Sequence, residues 1–235
     1  MAALLVQSKS AAQNTGLATV TASWDTPATA GNLLVMIVGA DDYAASPPSG
    51  WTESTGCKQQ TNLGHYLWWK VAAGGETSRT YTIGSASPSC WITAEISGLT
   101  ASPYDISNGQ LVLSDGTTYT TPAITPTAGE RYLIASIGAA DGGHSLTLGT
   151  WLNSFTERQD IGTTLGGGTR DVVGYADFAV TANGSTAYSS GATYSATAQA
   201  RTGIIIAFKV ATGGPAFIAA PNKPILQAVH RASYW

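Results

Sequence analysis

Short runs of Val, Ile, Leu, Thr, Tyr and Trp alternate along the chain with clusters of Gly, Pro, Asn, Asp and Ser, and helical spacing of apolar residues is almost absent before residue 215. This rhythm predicts an all-β chain of short strands, as in a sandwich or barrel. In the first half the expected strands are Leu4–Ser10, Ala18–Trp24, Asn32–Gly39, Gly64–Val71, Thr80–Ile83 and Trp91–Ser97. The second half offers Gln110–Ser114, Thr117–Ile124, Glu130–Ile137, Val173–Val180, Ala192–Thr197 and Gly203–Val210.

The pattern occurs twice. TPATAGNLLVMIVGADD, from Thr26 to Asp42, returns as TPTAGERYLIASIGAAD, from Thr125 to Asp141. Each copy leads to an aromatic strand (GHYLWWKVAAGG from Gly64, GYADFAVTANGS from Gly174) and closes on a β-rich run (WITAEISGL from Trp91, GIIIAFKV from Gly203). Duplication of this kind sets the architecture. Neither half has enough long strands to cover both faces of its own sheet. The expected fold is therefore one antiparallel, jelly-roll-like sandwich over residues 1–210, with halves of about 1–100 and 101–210. The join, SGLTASPYDISNGQ, reads as a crossover rather than a flexible linker. Matching Tyr66, Trp69 and Val71 to Tyr175, Phe178 and Val180 sets Asp177 opposite Trp68. Neighbours on a strand point to opposite faces, so Trp69 and Phe178 are expected in the core and Trp68 on an outer surface. The surplus length of the second copy falls in Thr156 to Asp171, which reads as an exposed mobile loop with Gly166, Gly167 and Gly168 at its tip.

Composition narrows the role. Apolar residues make up 43% of the chain and charged residues only 11%, the latter under half the usual share of roughly 25%. Hydroxyls replace the missing charge, which suits a protein packed among neighbours. A net charge of −3 with scattered Lys and Arg argues against phosphate-driven nucleic-acid binding. No run reaches the length of a membrane span, and MAALLVQSKS has no signal-peptide character. Cys57 and Cys90 are expected as free structural thiols, with a disulfide left open as the alternative.

Candidate chemistry is sparse. His65, His144 and His230 have no partner at metal-ligand spacing and are expected in surface or loop positions. Asp41, Asp42 and Asp141 end equivalent strands and are read as turn caps, a calcium site being the rival. Glu95 is placed on a polar strand face, solvated or at an interface. With no nucleophile elbow or P-loop, neither an enzyme nor a cofactor or metal site is expected. Trp24, Trp51, Trp91 and Trp151 are read as plugs at the sandwich ends, Trp51 and Trp151 in related places. Trp68 and Tyr66 remain candidate surface contacts for a glycan.

From Ala211 the composition changes to ATGGPAFIAAPNKPILQAVHRASYW. This segment carries +2, against −5 for residues 1–210 (total −3). Phe217, Ile225, Leu226, Val229, Arg231, Tyr234 and Trp235 supply anchors of the kind enriched at interfaces, so residues 211–235 are read as a docking arm.

The progression TAGNLLVMIVGAD, PPSGWTES, HYLWWKVAAGGE and WITAEISGL resembles a jelly-roll β-sandwich family of tailed-bacteriophage virion structural proteins, found also in bacterial surface and secreted proteins. The resemblance spans residues 4–210 and implies a virion component. Minor tail protein is the preferred role, with capsid decoration or a carbohydrate-binding module for host attachment as alternatives. It implies other virion proteins and copies of the chain as partners, with a host surface glycan as a further candidate, while charge and the length of the apolar runs leave nucleic acid and membrane unexpected. It brings no catalytic residues.

Overall fold

The computed structural model describes residues 2–40, 47–54, 63–140, 146–165 and 168–212. Its strands in chain order are β1 (Leu4–Ser23), β2 (Leu33–Ala40), β3 (Thr52–Glu53), β4 (Gly64–Val71), β5 (Ser78–Ser97), β6 (Leu99–Val112), β7 (Gly116–Thr120), β8 (Gly129–Ala140), β9 (Leu148–Trp151), β10 (Thr156–Leu165), β11 (Gly168–Ala182), β12 (Gly191–Ala198) and β13 (Ala200–Val210). They form two five-stranded sheets, ordered β1-β5-β2-β4-β3 and β10-β11-β8-β13-β6, and a three-stranded sheet, β7-β12-β9. The pairings are antiparallel, and the protein is an all-β, jelly-roll-like sandwich.

Alternation along the strands builds the interior. One face of the first sheet contributes Leu33, Val35, Ile37, Leu67, Ile92 and Ile96, and one face of the second contributes Tyr132, Ile134, Val173, Tyr175, Ile204, Ile206 and Phe208. These side chains form a single apolar cluster in which each sheet covers the face the other would leave in water. The crossover between the sheets is shorter than expected. β5 ends at Ser97, β6 begins at Leu99, and Gly98 alone turns the corner with φ +78°. A Cβ there would lie 2.5 Å from the Ala2 carbonyl oxygen, so only glycine fits.

The outer faces are also buried. β1 and β5 pair over nearly their whole length, with register shifts between Gln13 and Leu17 and between Leu17 and Thr19. Shifts of this kind bend a ribbon. Its far end folds back, packing Val20, Ala22, Tyr81 and Ile83 onto Leu34, Met36, Val38 and Trp68 from the outer face of the first sheet. The expected pairs Leu4–Ser10/Ala18–Trp24 and Thr80–Ile83/Trp91–Ser97 are thus each one long strand. In the second half the equivalent strands are interrupted, into β6 and β7 and into β12 and β13, and the separate small sheet covers Ile137, Ala139 and Val172.

Thr156 to Asp171 is a correction. Instead of a loop it forms β10 and the start of β11, paired from Thr156↔Asp177 to Leu165↔Gly168. β10 closes the edge of the sandwich against β1: Ser10 Oγ donates to Gln159 Oε1 at 3.0 Å, Gln159 Nε2 donates to Ser8 Oγ at 3.2 Å, and the Thr164 N–H donates to Asn14 Oδ1 at 2.8 Å. Gly166 and Gly167 lie outside the described residues.

Candidate functional site

Register decides which side chains face outward, and it overturns the surface aromatic pair. Val35 pairs with Trp69 across β2 and β4, while its repeat mate Ile134 pairs with Asp177 across β8 and β11. The mate of Trp69 is therefore Asp177, and that of Trp68 is Ala176. An alignment one residue out reverses every face of a strand. Trp68 is 0% exposed, in contact with Tyr66 (ring centroids 5.4 Å) and Tyr81 (5.8 Å) under the folded-back ribbon. Tyr66 is buried beside it. Neither can stack on a sugar. Trp69, half-buried, packs edge-on to Phe208 in the shared interior, and Phe178 lies half-buried on the opposite, outer face of its sheet.

The other aromatic side chains among the described residues give no platform either. Trp24 and Trp51 stack at 6.0 Å and plug the outer cluster with Trp91. The place of Trp51, just before the residues that pair with β4, is taken in the second half by Phe155 rather than Trp151. Among the described residues Tyr104, at 38%, is the exposed aromatic side chain, and one face of its ring lies flat on Trp69.

Polar residues inside the fold form three tied corners. Glu95, read above as solvated or at an interface, is buried: the fold brings its carboxylate the Gln7 amide at 2.5 Å, the Thr29 N–H at 2.9 Å and the Asn32 amide at 2.6 Å. Burial pushes this carboxyl up, but those donors outweigh it and hold it below the usual carboxylate range. The second half anchors the equivalent loop with a carboxylate from another strand. Asp105 accepts from the Thr127 N–H at 3.0 Å and from Arg131 Nε at 2.6 Å, and it too is held low against burial by the Arg131 and Thr127 donors. At the third corner Asp177 accepts from Tyr132 (2.5 Å), Tyr175 (3.2 Å) and both arms of the Arg158 fork (2.8 and 2.9 Å). Burial first, then the Asp177 charge, raises the Tyr132 phenol, while burial and the neighbouring Tyr132 and Asp177 raise that of Tyr175.

A cleft of about 260 Å³ opens beside Asp177, walled by Leu4, Leu5, Thr156 and Phe178. It presents one carboxylate already saturated by donors. Hydrolysis by paired acids needs a second one facing it, and the cleft's lining contains none. A second cleft, about 280 Å³, lies alongside and is walled by Ala3, Ala179 and the last described residues, Val210 to Thr212.

His65 corrects another expectation. It is 1% exposed on the inner face of β4, with Nε2 2.7 Å from Ser136 Oγ on β8. Desolvation lowers its pKa to about 3. Cys90 is a buried free thiol, raised by burial and then by the charge of Asp171. Cys57, His144, His230, Asp41, Asp42 and Asp141 lie outside the described residues, as do the arm anchors Phe217, Ile225, Leu226, Val229, Arg231, Tyr234 and Trp235. Among the described residues no three of His, Cys, Asp and Glu gather as a metal site. No described helix is long and apolar enough to cross a membrane.

Comparison with family models, with curated proteins and with solved structures gives no match for this chain.

Proposed function

We propose that the protein is a structural component of a tailed-bacteriophage virion, a minor tail protein held to its neighbours by residues 211–235. One observation carries this reading. The last 25 residues, Ala211 to Trp235, are rich in Ala and Pro and carry +2, against −5 for residues 1–210. Those residues nonetheless hold Phe217, Tyr234 and Trp235, costly to leave in water without a partner.

The exposed surface supports the same role. The outer side of the folded-back ribbon carries exposed Thr19, Thr21, Thr80 and Thr82, with Thr21 and Thr80 bonded through their hydroxyls at 3.0 Å. A hydroxyl face with little charge tolerates close packing against other subunits, because few ions must be stripped of water. Glycan attachment is less well supported, since its candidate rings, Trp68 and Tyr66, are interior.

The test is incorporation. A chain lacking residues 215–235 should fold, as judged by circular dichroism and tryptophan fluorescence, yet fail to enter assembling particles. Full occupancy by the truncated chain would overturn the docking arm. A particle reconstruction separates the sites: density at the tail is expected, and density over the capsid shell would assign decoration instead.

A further inference from the structure

We propose that the seam between the two halves contains a pH-sensitive joint, formed by His65 and Ser136, that weakens on acidification. The duplication supplies the comparison that exposes it. Gly39 and Gly138 occupy the same place in the repeated segment, and their cross-strand partners are His65 on β4 and Val173 on β11. Each partner reaches across to the glycine of the other half. A Cβ on Gly39 would come within 2.6 Å of Val173 Cγ1, and one on Gly138 within 3.0 Å of His65 Nδ1. Two residues before each glycine, on the same face, stand Ile37 and Ser136. One crossing is therefore Val173 with Ile37, both members of the shared apolar cluster. The other is His65 with Ser136.

The histidine crossing suits only a neutral ring. Nε2 meets Ser136 Oγ at 2.7 Å, but Nδ1 is buried without a hydrogen-bond partner. With Nε2–H donating to the serine, Nδ1 carries a bare lone pair, which the interior tolerates at modest cost. Protonation would put a donor and a charge at an atom that has no hydrogen-bond partner among the described residues.

Among the described residues, the groups that face this ring do not offset the charge. Cys90 and Gly39 stand in the same row across β5 and β2, and the thiol stays neutral because burial raises it. β8 supplies Ser136 and Gly138, and β13 supplies Thr202, none of them charged. From β11 come Val173 and Asp171, whose charge acts on Cys90, while the lowering of His65 comes from desolvation.

The direction follows from linkage. An unfolded histidine titrates near 6.5, and the folded one near 3, so below about pH 6.5 the unfolded chain binds a proton the folded chain refuses. Stability is full above that pH and drains as pH falls toward the folded value. Between pH 7 and pH 5 the unfolding equilibrium constant should rise roughly 25-fold from this one residue.

The experiment uses the full chain, with urea unfolding at pH 7, 6 and 5. The wild type should show that rise. The double variant His65→Val with Ser136→Ile, which copies the apolar crossing, should cut it to under about 3-fold. The same rise in both proteins would overturn the proposal, as would no rise in the wild type. Should the double variant fail to fold, the imidazole signal of His65 in the folded wild type decides by nuclear magnetic resonance. No shift between pH 7.5 and pH 5 is expected, and a midpoint near 6.5 would overturn the joint.

Discussion

The first half roofs its sheet with the far ends of its own long strands, whereas the second breaks the corresponding strands and roofs its sheet with a separate three-stranded unit. The strands that meet in the middle keep one pairing scheme, Val35 lying between Trp69 and Ala94 as Ile134 lies between Asp177 and Ile206, even where a side chain changes, as from Ile37 to Ser136. Duplication thus kept the register of the inner strands and released the way each sheet is roofed. A shared interior constrains two sheets at once, because a change on one leaves a cavity or a clash against the other. A roof touches only its own half.

The largest effect is expected where the roofs differ most. Trp68 fills the outer cluster of the first half, while its mate Ala176 leaves that space to Phe155 and Ile124. Trp68→Ala should lower stability by about 3–5 kcal/mol in urea unfolding at pH 7. A loss under about 1 kcal/mol would return this side chain to the surface.

Next come the tied corners. Asp105→Asn leaves the Arg131 charge, 8% exposed, without its acid, and should cost about 3 kcal/mol. Glu95→Gln abandons only neutral donors and should cost about 1–2 kcal/mol. A reversed order in the same assay would contradict the contrast. Both carboxyls are depressed in the fold, so their stabilisation is present above roughly pH 4 and lost as pH falls through the lower folded values. Each variant should flatten that acid limb. At the small end, Asp25→Asn removes an exposed pair with Lys9, 38% and 60% exposed, and should change the melting temperature by no more than about 2 °C.

Much of the fold was readable because strand rhythm and duplication are local signals. The close approach of Gly39 and Gly138 to side chains of the other half was not readable, because it depends on how the two sheets stack. The aromatic strands misled: matching Tyr66 to Tyr175 looks natural, yet the hydrogen-bonded register makes Leu67 the mate of Tyr175. Because strand periodicity is two, that single step exchanged inside for outside. β10 was unreadable for a different reason. Ile161 packs on the shared apolar cluster, but Gln159 and Thr164 beside it are held to β1 by polar bonds and so look like loop residues. The burial of Glu95 and His65 could not be read either, since Gln7, Thr29, Asn32 and Ser136 reach them only through the fold.

The interior shared by both sheets is tested most directly by native-state hydrogen exchange after truncating one side chain of the second half. Phe208 on β13 is fully buried against the first half, touching Trp69 on β4. Phe208→Ala should lower the opening free energy of the Ile37 amide on β2 by about 3 kcal/mol, as much as that of Ile134 on β8. An Ile37 amide that keeps its wild-type protection while Ile134 loses it would mean two cores, and the single sandwich would fail.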